Sequence, residues 1–115
     1  MNARDFVFIG VLIDRCPPLL PLLQEHIDTY DELLPHVFLA DVTRWVTERY
    51  QEDPSDPALN AALGYIDEYF AAGGPEDREL VGVSFLENLP RAGEPGSEIR
   101  DGLGPALREH LDQFG

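Results

Sequence analysis

The chain has 115 residues and carries 22 acidic side chains against eight arginines and no lysine, so its formal net charge is -14. A polyanionic surface repels the phosphates of nucleic acids and of anionic membranes, which excludes both as expected partners. Hydrophobic residues make up 43% of the chain, more than acidic disordered chains contain. We therefore expect a single folded helical domain over residues 1–115, with a charge that serves solubility or attracts a basic protein partner.

The cysteine and the N-terminal sequence indicate a compartment. Cys16 is the only cysteine, so an internal disulfide is impossible and a reducing cytoplasm is the expected location. An apolar run from Phe6 to Ile13 follows Arg4, but Asp5 lies at its edge and no small-residue cleavage pattern comes after it. No apolar run reaches the length of a membrane-spanning helix.

The predicted elements are helices, because apolar residues recur at intervals of three and four and prolines and glycines fall between the periodic stretches. The first helix, from Ala3 to Arg15, is apolar nearly all round, which predicts that it is well buried. The second begins near Pro18 and ends near Thr29. The third begins near Pro35 and runs to about Gln51.

The second half of the chain predicts three more helices. The fourth has Asp56 as its N-cap, a proline at its first position and Gly73-Gly74 after its end. The fifth runs from Pro75 to about Leu89, and carboxylates in its first turns suit the positive end of a helix. An irregular stretch with a short turn after Ser97 then leads to a sixth helix, which begins at Pro105.

The connections between these helices are mostly short, which places successive helices antiparallel to each other. The predicted fold is therefore all-α, a compact array of about five to six helices arranged as antiparallel helical hairpins. An irregular bundle and a short HEAT- or armadillo-like stack both agree with this pattern, and no internal repeat of fixed period is evident.

The third predicted helix carries the most distinctive candidate surface. On a projection of about 100° per residue, three charged residues cluster beside Trp45: Asp41, Arg44 and Glu48. They form either an intrahelical ion-pair ladder or a recognition patch, since tryptophan and arginine are enriched at interface hot spots. His36 lies on the other flank, about 140° from Asp41, so these two cannot share a zinc ion. We expect His36 to be a capping or surface histidine.

The fifth predicted helix carries a second polar cluster. Ser84 and Asn88 lie four residues apart at the rim of its main apolar face, and Glu87 falls on the opposite face between Leu80 and Val83. A buried acid there would need an arginine partner, or its pKa would rise. We expect a structural polar network. A catalytic acid is the alternative, but the sequence places no second group beside it.

Three strings carry a family resemblance: ELLPHVFLADVTRW from Glu32 to Trp45, VSFLENL from Val83 to Leu89, and LGPALR from Leu103 to Arg108. Together they resemble a family of small bacterial all-helical proteins of unknown function, over most of the chain. That resemblance implies no particular activity. In size, acidity and helical content the chain also resembles the immunity proteins of bacterial toxin systems, a likeness of character rather than of motif.

These observations favour a non-enzymatic binding protein, such as an immunity protein that neutralises a basic toxin domain. A regulatory or scaffold domain that binds a peptide or helix in a groove between hairpins is the first alternative. A small hydrolase or metal-dependent enzyme, using Glu87, Asp41 and a histidine from another helix, is the second. The sequence predicts no cofactor, no metal ligand and no catalytic residue, and it leaves the oligomeric state open.

Overall fold

The computed structural model describes residues 3–114, with side chains described for residues 3–113. Six α-helices and three short 3-10 helices make up this range, and it contains no strand, which confirms the predicted all-α class. The α-helices are α1 (Ala3–Arg15), α2 (Leu20–Tyr30), α3 (Pro35–Glu52), α4 (Pro57–Ala72), α5 (Pro75–Ser84) and α6 (Pro105–Phe114). The 3-10 helices are Pro17–Leu19, Leu86–Asn88 and Ser97–Gly102.

Helix starts follow the local sequence closely. Four α-helices begin with a proline, whose missing N–H costs nothing at the first helical position. At α4 the predicted N-cap is confirmed, because the Asp56 carboxylate accepts a hydrogen bond of 3.2 Å from the Ala58 amide. The bounds predicted for α1, α3 and α4 agree with the structure to within one residue.

The predicted end of α5 is wrong. The helix was expected to reach Leu89, but it ends at Ser84, and Phe85 has φ -110° and ψ -63°. A continuing helix would pair the Asn88 amide with the Ser84 carbonyl. Instead the Asn88 side chain donates to that carbonyl at 2.8 Å, while the Asn88 amide bonds to the Phe85 carbonyl at 3.2 Å. This local competition from an asparagine side chain replaces the last α-helical turn with a 3-10 turn.

The helices pack as an irregular bundle around α3 and α4. The most extensive contacts between α-helices join α3 to α5, α1 to α4 and α4 to α6. The main pairings are therefore between helices that are not consecutive in the chain. A stack of successive hairpins would instead pair consecutive helices. The Cα radius of gyration is 13.2 Å, close to the value of about 13 Å expected for a compact chain of this length.

Two buried carboxylates fix the starts of α5 and α6 against the bundle. Asp77 accepts hydrogen bonds from the Tyr69 hydroxyl at 2.7 Å and from Arg4 at 2.7 Å. Burial of the Tyr69 phenol, and then its bond to Asp77, raise the pKa of Tyr69. Asp67 on α4 accepts from the Leu107 amide at 2.9 Å. Both acids serve the positive ends of helices, where their charge is favourable.

Within residues 3–114, no single helix is long and apolar enough to cross a membrane. Only α1 taken together with the Pro17–Tyr30 segment passes that test, and the two are bent by 118° relative to each other.

Candidate functional site

A groove of about 450 Å³ lies between α2 and α3. We name it the Trp45 groove, and its lining residues are Leu22, Glu25, His26, Thr29, Tyr30, Asp41, Arg44, Trp45 and Glu48. The four residues of the patch predicted on the third helix all line it, because spacings of three, four and seven place them on one face of α3. Helix α2 supplies the opposite wall, which the sequence did not predict.

The Trp45 groove is acidic. Glu25, Asp41 and Glu48 line it against a single cation, Arg44. Arg44 forms an ion pair with Asp41, which is one of the two pairs in the predicted intrahelical ladder. No ion pair joins Arg44 to Glu48, and neither Glu25 nor Glu48 has a cationic partner among the described residues. Two carboxylates of the groove therefore remain available to a ligand.

Two aromatic side chains accompany these carboxylates. Trp45 is half-buried between the core and the groove, and Tyr30 is 45% exposed. The faces of indole and phenol rings carry negative electrostatic potential and attract cations. Aromatic faces and unpaired carboxylates in one groove suit a lysine or arginine side chain from outside the chain.

His26 lies in the wall of the same groove and is 3% exposed. Its Nε2 accepts a hydrogen bond of 3.0 Å from the Leu34 amide, just before α3 begins. A ring nitrogen that accepts carries no proton, so the neutral ring is protonated at Nδ1. This Nδ1 is buried and has no hydrogen-bond partner in the described part of the chain. The sequence pattern did not predict this link between His26 and the start of α3.

The other predicted polar residues lie apart from the Trp45 groove, at the contact between α3 and α5. His36 Nδ1 and Ser84 Oγ share a hydrogen bond of 2.5 Å, although the His36 side chain is otherwise exposed. Thr43, buried on α3, donates to the Leu39 carbonyl at 2.9 Å and approaches the Ser84 carbonyl at 3.4 Å. The contacts of His36 and Thr43 with Ser84 link α3 to α5, and the Asn88 side chain bonds to the same Ser84 carbonyl from the turn that follows α5.

The predicted placement of Glu87 is wrong. It was expected between Leu80 and Val83 on a continuous helix, but α5 ends at Ser84, so Glu87 lies in the 3-10 turn that follows and is exposed. No arginine pairs with it within the described residues. Glu87 lines a second groove and does not meet Asp41, so the structure does not assemble the catalytic pair that the enzymatic alternative requires.

The second groove has a volume of about 860 Å³ and lies between α5, the segment after it and α6. We name it the arginine groove, because three of the eight arginines line it. Its lining residues are Pro75, Arg78, Glu79, Gly82, Val83, Leu86, Glu87, Leu89, Arg91, Ala92, Arg100, His110 and Leu111. The sequence did not predict this groove, because its residues come from three separate segments.

Residues 9–114 match the profile of a domain of unknown function, DUF7674. The chain belongs to the DUF7674 family. This confirms the resemblance to a family of unknown function, and both grooves of this DUF7674 domain lie within the matched residues. Neither a curated protein nor a solved structure matches the chain.

The His, Cys, Asp and Glu side chains of the DUF7674 domain are the groups that could hold a metal ion or supply a reactive thiol. In the part of the chain that the structure describes, no three His, Cys, Asp or Glu side chains come together in a group that could hold a metal ion. Cys16 is fully buried, and burial raises the pKa of its thiol to about 11. A thiol with that pKa stays protonated near neutral pH, which makes it a poor nucleophile.

Proposed function

We propose that this DUF7674 domain is a non-enzymatic protein-binding module that holds a cationic segment of a partner in the Trp45 groove. The observation that carries the proposal is the convergence of two aromatic rings and two unpaired carboxylates on one groove. An arginine or lysine side chain placed over Trp45 gains a cation–π contact, and Glu25 and Glu48 offer charge-assisted hydrogen bonds.

The charge of the whole chain supports the same kind of partner. A net charge of -14 attracts a basic protein over long distances and speeds the encounter. Within the groove, Arg44 already neutralises the Asp41 carboxylate through an ion pair. The remaining carboxylates of the groove then select for a cation, since a second anion would meet like charges there.

The finer proposal is a cytoplasmic immunity protein that captures a basic toxin domain. Its support is the acidity, the small all-α domain and a groove suited to cationic side chains. The second candidate is a regulatory or scaffold domain that binds a partner peptide or helix. The position of the groove between two helices favours it, because amphipathic segments commonly dock in such grooves.

The only tryptophan of the chain lies in this groove, so its fluorescence reports on occupancy directly. We expect a hexa-arginine peptide to change Trp45 emission saturably at low salt, and a hexa-glutamate peptide to leave it unchanged. Raising the salt concentration should weaken the binding, because exposed charges are screened.

Matched variants distinguish the contribution of the groove carboxylates to binding from that of the net charge. Replacing Glu25 and Glu48 by glutamine should weaken hexa-arginine binding about tenfold, on the scale of bonds between charged groups. Replacing Glu98 and Glu109, two exposed acids outside the groove, changes the net charge equally. Equal weakening by both double variants would show attraction by net charge alone and reject the groove. Capture of a basic protein from the native host by the parent, but not by Trp45→Ala, would then identify the partner.

A further inference from the structure

The arginines of this chain divide into two groups. Arg4, Arg15, Arg44 and Arg49 each pair with a carboxylate. The remaining four have no carboxylate within 4.0 Å among the described residues: Arg78, Arg91, Arg100 and Arg108. In a chain with 22 acidic residues, arginines without an acidic partner are unexpected. Three of these four line the arginine groove.

Contacts other than ion pairs position two of these side chains. Arg100 Nε donates to the Pro90 carbonyl at 2.8 Å. The guanidinium of Arg78 lies 5.3 Å from the centre of the Phe70 ring. A guanidinium has five N–H donors, so these contacts hold the group in place and leave most of its donors available. Arg91 is exposed, with no side-chain hydrogen bond in the described part of the chain.

The arginine groove also has an apolar part. Leu86 and Leu89 are buried at its base, Leu111 is partly buried, and Val83 is 48% exposed. An exposed valine beside unpaired arginines forms a surface that is both apolar and cationic. The volume of about 860 Å³ falls within the range of roughly 300–1,000 Å³ that is typical of small-molecule sites.

We propose that the arginine groove binds a small organic acid, with its carboxylate on the groove's arginines and its apolar body over Val83 and the leucines. A planar carboxylate matches the paired N–H groups of a guanidinium. Glu79 and Glu87 also line the groove, so its arginines exceed its acids by one. That small surplus and the overall charge of -14 suit a single carboxylate and oppose a polyanion.

Three probes distinguish the contribution of the ligand's carboxylate from that of its apolar body. Octanoate has the carboxylate and the apolar body, octanol has only the body, and acetate has only the charge. We expect octanoate to bind saturably by calorimetry and to shift the backbone amide resonances of residues 78–92 and 100–111. Octanol and acetate should bind at least about tenfold more weakly, because each lacks one half of the interaction.

Variants test the arginines themselves. Arg91→Gln and Arg100→Gln should each raise the dissociation constant for octanoate about tenfold. Arg108→Gln is the matched control, since Arg108 also lacks an acidic partner in the described range but lies outside the groove. Arg91 has no side-chain bond to lose among the described residues, so its variant should fold even if Arg100→Gln does not.

Three results would overturn the proposal: octanol binding as tightly as octanoate, Arg108→Gln weakening octanoate as much as Arg91→Gln, or no saturable octanoate binding at millimolar concentration. The proposal is independent of the Trp45 groove, so replacing Glu25 and Glu48 by glutamine should leave octanoate binding unchanged.

Discussion

The Asp67 carboxylate on α4 accepts a hydrogen bond of 2.9 Å from the backbone amide of Leu107, in the first turn of α6. Leu107 is fully buried, so this helix-start amide has no access to water and needs an acceptor from the protein. One side chain therefore both caps α6 and joins it to α4. Because His110 and Leu111 of α6 line the arginine groove, the same bond positions one wall of that groove.

Removing this carboxylate should destabilise the fold. We expect Asp67→Ala to lower the free energy of unfolding by about 1–3 kcal/mol, since it leaves a buried amide without an acceptor. Urea denaturation followed by circular dichroism measures the change. Glu68→Ala is the control, because Glu68 is exposed and its ion pair with Arg15 is long, at 3.6 Å. That control should change stability by less than about 0.5 kcal/mol. Equal losses in the two variants would contradict the capping role.

Gly104 makes room for the same carboxylate. A Cβ atom added at this position would lie 2.3 Å from the carboxyl carbon of Asp67, so the cap would have to move. We expect Gly104→Ala to lower the free energy of unfolding by about 1–3 kcal/mol. Gly64→Ala should act in the opposite direction, because Gly64 is exposed within α4 and its added Cβ would meet nothing within 4 Å.

In a helix interior, alanine is favoured over glycine by roughly 0.5–1 kcal/mol. Thermal unfolding of the two glycine variants shows directly whether each substitution raises or lowers the stability. A stabilised Gly104→Ala protein would show that Asp67 can cap α6 from another position.

Asp56 and Asp67 show how far the sequence predicts this structure. Asp56 caps the helix that follows it, and the proline beside it marks the position, so local sequence suffices. The amide that Asp67 caps is 40 residues away. No local pattern records that distance, so the capping role of Asp67 could not be predicted from the sequence. The hydrogen bond from the Leu34 amide to His26, eight residues away, also follows from packing and was not predicted.

The candidate sites divide in the same way. The patch around Trp45 was predicted because its members share one face of one helix, which spacing alone reveals. The wall that α2 adds to it depends on how two helices pack. Glu87 was misplaced because the Asn88 side chain ends the α-helix early, and apolar periodicity continues through such a break without a change. The arginine groove depends entirely on packing between distant segments.

Asp56 should also give the fold a measurable dependence on pH. A hydrogen bond of 2.6 Å from Arg49 holds the pKa of Asp56 below its ordinary value of 3.8. A carboxyl whose pKa is lower in the folded state stabilises the fold above its unfolded pKa, and this contribution is lost as the pH falls through the folded pKa. We expect Asp56→Asn to be less stable than the parent at pH 6, and the difference to shrink below about pH 4.

Urea denaturation at several pH values between 6 and 2 measures that difference. Asp112→Asn is the control, because Asp112 is exposed on α6 and has no ion pair within the described residues. The free energy of unfolding of Asp112→Asn should stay close to that of the parent from pH 6 to pH 2. A constant deficit for Asp56→Asn from pH 6 to pH 2 would show that the ion pair with Arg49 does not carry the effect.

The buried thiol of Cys16 should react far more slowly in the folded protein than in the unfolded chain. Burial, and then the nearby charge of Asp56, raise the pKa of this thiol from 9.0 to about 11. Two pKa units reduce the reactive thiolate roughly a hundredfold at pH 8, and burial also excludes the reagent. We expect labelling by a thiol-reactive disulfide at pH 8 to be at least a hundredfold slower than in guanidinium chloride.

Ser55→Cys is the control, since it places a second thiol in an exposed loop, which should react at the unfolded rate. A native Cys16 rate within tenfold of that loop thiol would mean that the segment between α1 and α2 opens readily and exposes the thiol.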